Sequence, residues 1–72
     1  MKRLEFMRRN LRLSQREAGK LAGVNASYIC NAEKRGLILY PDQAKRLSSA
    51  LGWEGDPAEL FEEVTEHDVG RS

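Results

Sequence analysis

The side chains with the greatest chemical capacity in this chain crowd into Asn25-Ala-Ser-Tyr-Ile-Cys-Asn-Ala-Glu-Lys-Arg-Gly36 (NASYICNAEKRG). At about 100° per helical residue, Ile29, Ala32 and Glu33 fall on one face and Ser27, Asn31 and Lys34 on the opposite one. The first face is apolar except for Glu33, so a carboxylate is carried inward and demands a neutralising partner there. The second face is polar. Asn31 is its most discriminating member, because a carboxamide donates and accepts a hydrogen bond at once. A reaction centre is not what these residues suggest. Cys30 is the single cysteine and His67 the single histidine. There is no nucleophile–base pair, phosphate-binding glycine loop or metal-ligand spacing, so no catalysis, metal or cofactor is expected.

With 72 residues the chain is expected to form one domain, near the lower limit for a core that folds without staples. A single cysteine closes no internal disulfide, which favours a reducing setting. No apolar run approaches the roughly 18 to 20 residues of a membrane span, and the charged N-terminus lacks the apolar stretch of a signal peptide. A soluble, cytoplasmic protein is expected. The net charge of +1 conceals a division. Residues 1–46 hold eleven Lys or Arg against four acids, a balance of +7, whereas residues 47–72 hold one arginine against seven acids, a balance of −6. Such asymmetry suggests one half that faces a polyanion and one half that does not.

The elements that must position these groups read as helices throughout. Leu4, Met7 and Leu11 follow a helical period and predict a first helix over about 2 to 10. Ser14-Gln-Arg-Glu17 is a capping box that opens a second helix, with Ala18, Leu21 and Ala22 as its inner face and Gly23 at its end. Asn25 is a good N-cap for a third helix over about 26–35. After the apolar linker Gly36-Leu-Ile-Leu-Tyr-Pro41, the residues Ala44, Leu47, Ser48 and Leu51 predict a fourth helix ending at Gly52. Asp56-Pro-Ala-Glu59 opens a short fifth helix with Leu60, Phe61 and Val64 inward. From Glu66 to Ser72 nothing apolar repeats, so residues 66–72 read as a disordered acidic tail behind a domain of residues 1–65.

The expected fold is therefore all-α, with the second and third helices joined by a tight Gly-Val-Asn corner as in a helix-turn-helix. Ser14-Gln15-Arg-Glu-Ala-Gly-Lys-Leu-Ala22-Gly23-Val24-Asn-Ala-Ser-Tyr28-Ile29-Cys-Asn-Ala-Glu33 closely resembles the signature of the phage-repressor-like, Cro-type (Xre family) helix-turn-helix regulators. Leu47-Ser-Ser-Ala-Leu-Gly52 followed by Glu59-Leu-Phe61 looks like that family's fourth and fifth helices. The resemblance covers about residues 3 to 64. It implies a five-helix, lambda-repressor-like DNA-binding domain, and a nucleoid-associated regulator of transcription, most often a repressor, that binds double-stranded DNA without catalysis.

Arg8 answers the inward carboxylate. It lies within about 40° of Leu4 on the first helix, so it too points inward, and pairing with Glu33 relieves two burial penalties together. The family resemblance implies the same bridge. An α-helix fits the major groove, and the early residues of a recognition helix reach base edges, which makes Ala26, Ser27, Tyr28 and Asn31 candidates for contact. Asn31 suits the bidentate contact that adenine offers, Ser27 a base or phosphate, and Ala26 a thymine methyl. Tyr28 is open between core packing and phosphate contact. Lys34 and Arg35 are placed to meet phosphates. The resemblance adds Gln15, at a position that contacts phosphate and braces the recognition helix, and Asn25, at a phosphate-contacting position. Arg12, Arg16 and Lys20 carry a weaker signal and read equally well as solvated side chains.

Two departures from the family pattern matter. Gly19 stands where alanine is usual, which is expected to weaken the helix while still permitting close approach of helices two and three. Ala18 replaces a larger aliphatic, leaving volume for Phe6 or Trp53 to fill. In addition, Leu37, Ile38, Leu39 and Tyr40 are apolar where polar phosphate contacts are common. They either fold over the core or form a patch for a protein partner. A homodimer on a palindromic operator is expected, because one recognition helix reads only a few base pairs. The alternatives are the antitoxin of a toxin–antitoxin pair and a protein-interaction module on the same fold.

Overall fold

The computed structural model describes residues 1–64; the predicted acidic tail and His67 lie outside the described residues. The chain is all-helical in its regular structure, with α1 (Arg3–Asn10), α2 (Gln15–Ala22), α3 (Ala26–Arg35), α4 (Pro41–Leu51) and a 3₁₀ helix at Pro57–Phe61. Among the described residues no helix is long and apolar enough to cross a membrane.

Local chemistry accounts for most of these boundaries. The Ser14 hydroxyl accepts from the Glu17 N–H at 3.0 Å and the Glu17 carboxylate accepts from the Ser14 N–H at 2.9 Å, so two orphan donors at the start of α2 are satisfied. Asn25 Oδ1 accepts from the Ser27 N–H at 2.9 Å and opens α3. Pro41 begins α4, where its missing N–H removes nothing, and the Tyr40 N–H is held by Gln43 Oε1 at 3.2 Å. Asp56 caps the last element through the Ala58 N–H at 3.0 Å. That element is a 3₁₀ helix of five residues rather than a fifth α-helix. A segment so short gains few α-type hydrogen bonds, and the tighter winding still buries Leu60.

The end of α1 is less predictable from composition. The Leu13 N–H donates to the Arg8 carbonyl at 3.1 Å and the Arg12 N–H to the Arg9 carbonyl at 2.9 Å, the two bonds of a Schellman motif. This motif ordinarily ends in glycine. Here Arg12 takes the left-handed position, with φ 57°.

Leu4, Ile29, Leu47 and Leu60 are completely buried, one each from α1, α3, α4 and the 3₁₀ helix, and each such side chain is worth roughly 1.5 to 3 kcal/mol of burial. From α2 come Ala18 and Ala22. The inner-face assignment of Leu21 is corrected, since it is 63 % exposed, and Leu11, which follows the period of the first helix, is 50 % exposed. Leu11 lies past the last α1 residue, where the chain turns away. On α2 the inward side is occupied by Ala18, Gly19 and Ala22, which displaces Leu21 to the surface. Trp53, not Phe6, packs against the core. Its indole N–H donates to the Asp56 carbonyl at 3.0 Å, its own carbonyl accepts from the buried Ser48 hydroxyl at 3.1 Å, and the Arg3 guanidinium lies 4.9 Å from its ring.

The two ends of the described chain meet through an isolated antiparallel bridge between Lys2 and Glu63. The Arg3 N–H donates to the Glu62 carbonyl and the Val64 N–H to the Met1 carbonyl, both at 2.8 Å. This clamp anchors the acidic segment beside α1.

Candidate nucleic-acid interface

The inward carboxylate of α3 meets the inward guanidinium of α1. Arg8 Nε donates to Glu33 Oε2 at 2.8 Å and Arg8 Nη2 donates to Glu33 Oε1 at 2.9 Å, with the Arg8 side chain 10 % and that of Glu33 0 % exposed. A bidentate pair of this geometry fixes direction as well as distance. The hydrogen bonding of the guanidinium to Glu33 is the main influence raising the Arg8 pKa, while desolvation works against it. Two further hydrogen bonds extend the pair. Arg8 Nη1 reaches the Leu13 carbonyl at 2.7 Å, and Gln15 Nε2 donates to Glu33 Oε1 at 3.0 Å. One network thus joins α1, the loop after it, the first residue of α2 and the interior of α3. No buried side-chain nitrogen or oxygen among the described residues lacks a partner. Gln15 is held by this network with its second amide N–H still free to meet an external acceptor.

The corner between α2 and α3 is set by two glycines. Gly23 is left-handed at φ 69°, and the Val24 N–H returns to the Gly19 carbonyl at 2.9 Å. Gly19 is buried within this corner, and a Cβ built there would collide with the Val24 carbonyl oxygen and lie 3.6 Å from Ile29 Cδ1. The expectation that alanine at position 19 would permit the same close approach is corrected: here the approach is too close for any Cβ.

On the outward side of α3, Ser27, Lys34 and Arg35 are exposed, Tyr28 is 43 % exposed, and Ala26 and Asn31 are half-buried. Tyr28 thus lies outside the core. The Ser27 hydroxyl donates to Asn25 Oδ1 at 2.8 Å, so Asn25 serves as cap and as partner to its neighbour. Among the described residues the Asn31 carboxamide makes no intramolecular hydrogen bond, leaving its full donor and acceptor capacity for an external partner.

Charge pairing separates the cations into two sets. Lys2, Arg3, Arg8 and Arg9 are each paired, with Glu63, Glu62, Glu33 and Glu5 respectively. Glu5, to which the sequence assigned no role, is buried and paired with Arg9 at 2.6 Å. By contrast Arg12, Arg16, Lys20, Lys34, Arg35, Lys45 and Arg46 are all exposed and form no ion pair among the described residues. Arg16 and Lys20 line one surface hollow with Asn25 and Ala26 at the start of α3. Their sequence signal was weak because helical spacing alone does not show which cations flank a turn. Lys45 and Arg46 on α4 escaped notice for the same reason.

The linker divides. Leu39 is buried, whereas Leu37 is 39 %, Ile38 75 % and Tyr40 73 % exposed. Of the two alternatives open for these four residues, core packing holds for Leu39 alone. Cys30 is a free, half-buried thiol. Among the described residues no group of His, Cys, Asp and Glu could hold a metal ion. Comparison with family models, with curated proteins and with solved structures returned no match.

Proposed function

We propose that this protein is a sequence-specific, double-stranded DNA-binding regulator of transcription, acting as a repressor. In this reading α2, the Gly23-Val24-Asn25 corner and α3 form a helix-turn-helix within a lambda-repressor-like domain, and α3 enters the major groove. The observation that carries it is the segregation of charge and hydrogen-bonding capacity. Among the described residues seven exposed cations form no ion pair; they are distributed over the loop before α2, α2 itself, α3 and α4, and the outward face of α3 offers the uncommitted carboxamide of Asn31. Cations facing phosphate supply affinity, and the carboxamide supplies discrimination between bases.

Each remaining residue takes a role consistent with its position. Lys34, Arg35, Arg16 and Lys20 meet phosphates, as do Asn25 and the free N–H of Gln15. Ala26, Ser27 and Tyr28 border the base edges or the backbone beside them. Arg8 and Glu33 touch no DNA; they hold α3 at its angle to α1. The protein acts as a homodimer, so that two copies of α3 read half-sites about 34 Å apart on a palindromic operator.

The test is selection of bound sequences from a random duplex pool with the parent and the Asn31→Ala variant in parallel. The parent is expected to enrich a palindrome, and the variant to lose preference at one base pair in each half-site while retaining salt-dependent binding. Failure of both proteins to enrich any sequence would refute the proposal.

A further inference from the structure

A hollow of about 450 Å³ lies between the C-terminal end of α2 and α4, lined by Leu21, Ala22, Lys45, Arg46, Ser49 and Ala50. Leu21, 63 % exposed, is the large apolar group of this lining. It also lines an adjoining hollow together with Leu13, so aliphatic surface continues past it. The polar side chains of the first hollow are Lys45, Arg46 and Ser49, all exposed, and no carboxylate lines it. Neither Lys45 nor Arg46 belongs to an ion pair among the described residues.

We infer that this hollow docks an acidic, amphipathic peptide segment of a partner protein, with an aliphatic side chain against Leu21 and carboxylates on Lys45 and Arg46. Charge complementarity selects that occupant. A second copy does not fit, because a two-fold contact matches a patch with itself and would set these two cations against their own equivalents. A duplex backbone would satisfy the cations and leave Leu21 without an apolar partner. An amphipathic helix answers both, since one of its faces supplies carbon and the flanks of that face supply carboxylates.

The position leaves α3 accessible. The hollow where Arg16 and Lys20 meet Asn25 and Ala26 shares no residue with this one. A partner seated on α2 and α4 uses none of the residues assigned individually to DNA contact, so it can be held while α3 lies in the groove. The chemistry of the hollow does not depend on the DNA-binding reading, and a chain that binds such a peptide but no DNA leaves the inference standing.

Nuclear magnetic resonance titration of the isotope-labelled full chain tests it with a synthetic amphipathic peptide, leucine on one helical face and glutamate on the other. The backbone amides of Leu21, Ala22, Lys45, Arg46, Ser49 and Ala50 are expected to shift together and to saturate with a Kd below about 1 mM. Leu21→Ser is expected to weaken binding at least about tenfold through the lost apolar contact. Lys45→Glu combined with Arg46→Glu is expected to weaken it by at least about the same factor through charge reversal. These side chains are exposed, and circular dichroism is expected to show both variants folded. The same peptide with lysine in place of glutamate is expected not to bind. Absence of saturable shifts in the parent overturns the inference. Shifts spread equally over Arg12, Lys34 and Arg35, or an affinity indifferent to Leu21→Ser, overturn it as well, because they mean charge attraction alone. Displacement of the peptide by random duplex DNA does the same by giving Lys45 and Arg46 to phosphate.

Discussion

Gln15 and Arg8 grip the same carboxylate: Gln15 Nε2 lies 3.0 Å and Arg8 Nη2 2.9 Å from Glu33 Oε1. The first residue of α2 and the interior of α1 are thereby tied to one atom of α3. Removing that charge leaves a buried guanidinium unpaired, which costs about 3 to 5 kcal/mol. Glu33→Gln is expected to lower Tm by more than about 12 °C in a domain of this size, read by thermal circular dichroism. A shift under about 2 °C would show that the pair does not hold the helices together.

The contact between Gly19 and the Val24 carbonyl reverses the usual ranking of glycine and alanine in a helix. Helix propensity alone favours Gly19→Ala by about 1 kcal/mol. The collision of the new Cβ with backbone cannot be relieved by a side-chain rotation, so the corner itself must open. A net loss of about 2 kcal/mol is expected, within the range for overpacking, and urea denaturation measures it. Stabilisation by the alanine would refute the close approach.

Arg12 presents the opposite case, a side chain where the backbone favours glycine. Its left-handed φ of 57° completes the Schellman motif that ends α1. Arg12→Gly is expected to stabilise the fold by about 0.5 to 1 kcal/mol, the left-handed penalty less the added entropy of the unfolded chain. The same measurement by urea denaturation decides it, and a destabilised variant would mean that the arginine side chain itself supports the loop.

Acid acts on the start of α2. The Ser14 backbone N–H, and secondarily the Ser14 hydroxyl, hold the Glu17 carboxyl below the ordinary carboxylate pKa. A depressed folded-state pKa contributes stability that is present above the unfolded pKa and is lost as pH falls through the folded one. The parent is therefore expected to lose this contribution on the acid side of the usual glutamate range. Glu17→Gln keeps a capping-box side chain without the titration and is expected to show a shallower acid limb in denaturant midpoints measured against pH. Identical limbs in the two proteins would exclude the capping carboxylate as a source of acid sensitivity.

Several features follow from sequence alone because their causes are local. Ser14 with Glu17, Asn25 before α3 and Asp56 each satisfy backbone groups within three residues of themselves, and Pro41 removes a donor that the start of α4 would leave orphaned, so the element boundaries can be read without knowledge of the fold. Helical period likewise carries Leu4, Ile29, Ala32, Leu47 and Leu60 inward, and it places Asn31 opposite Glu33. The all-α class needs no more than this.

Other features depend on what packs against a face, which no periodicity contains. Leu21 satisfies the helical spacing of a core residue and is nevertheless exposed, because the approach of α2 to its neighbours is set by Ala18, Gly19 and Ala22. Arg12 carries no turn signal, since the Schellman bonds that force its backbone arise from the chain reversing after α1. The four apolar linker residues look alike in sequence and separate only when α4 and the 3₁₀ helix bury Leu39 and leave Ile38 outside. Charge counting located a basic half; tertiary pairing decided which cations are already neutralised and which seven are unpaired among the described residues. Short-range hydrogen bonding and helical period are written in neighbouring residues, whereas burial and ion pairing are properties of surfaces that meet only in the folded chain.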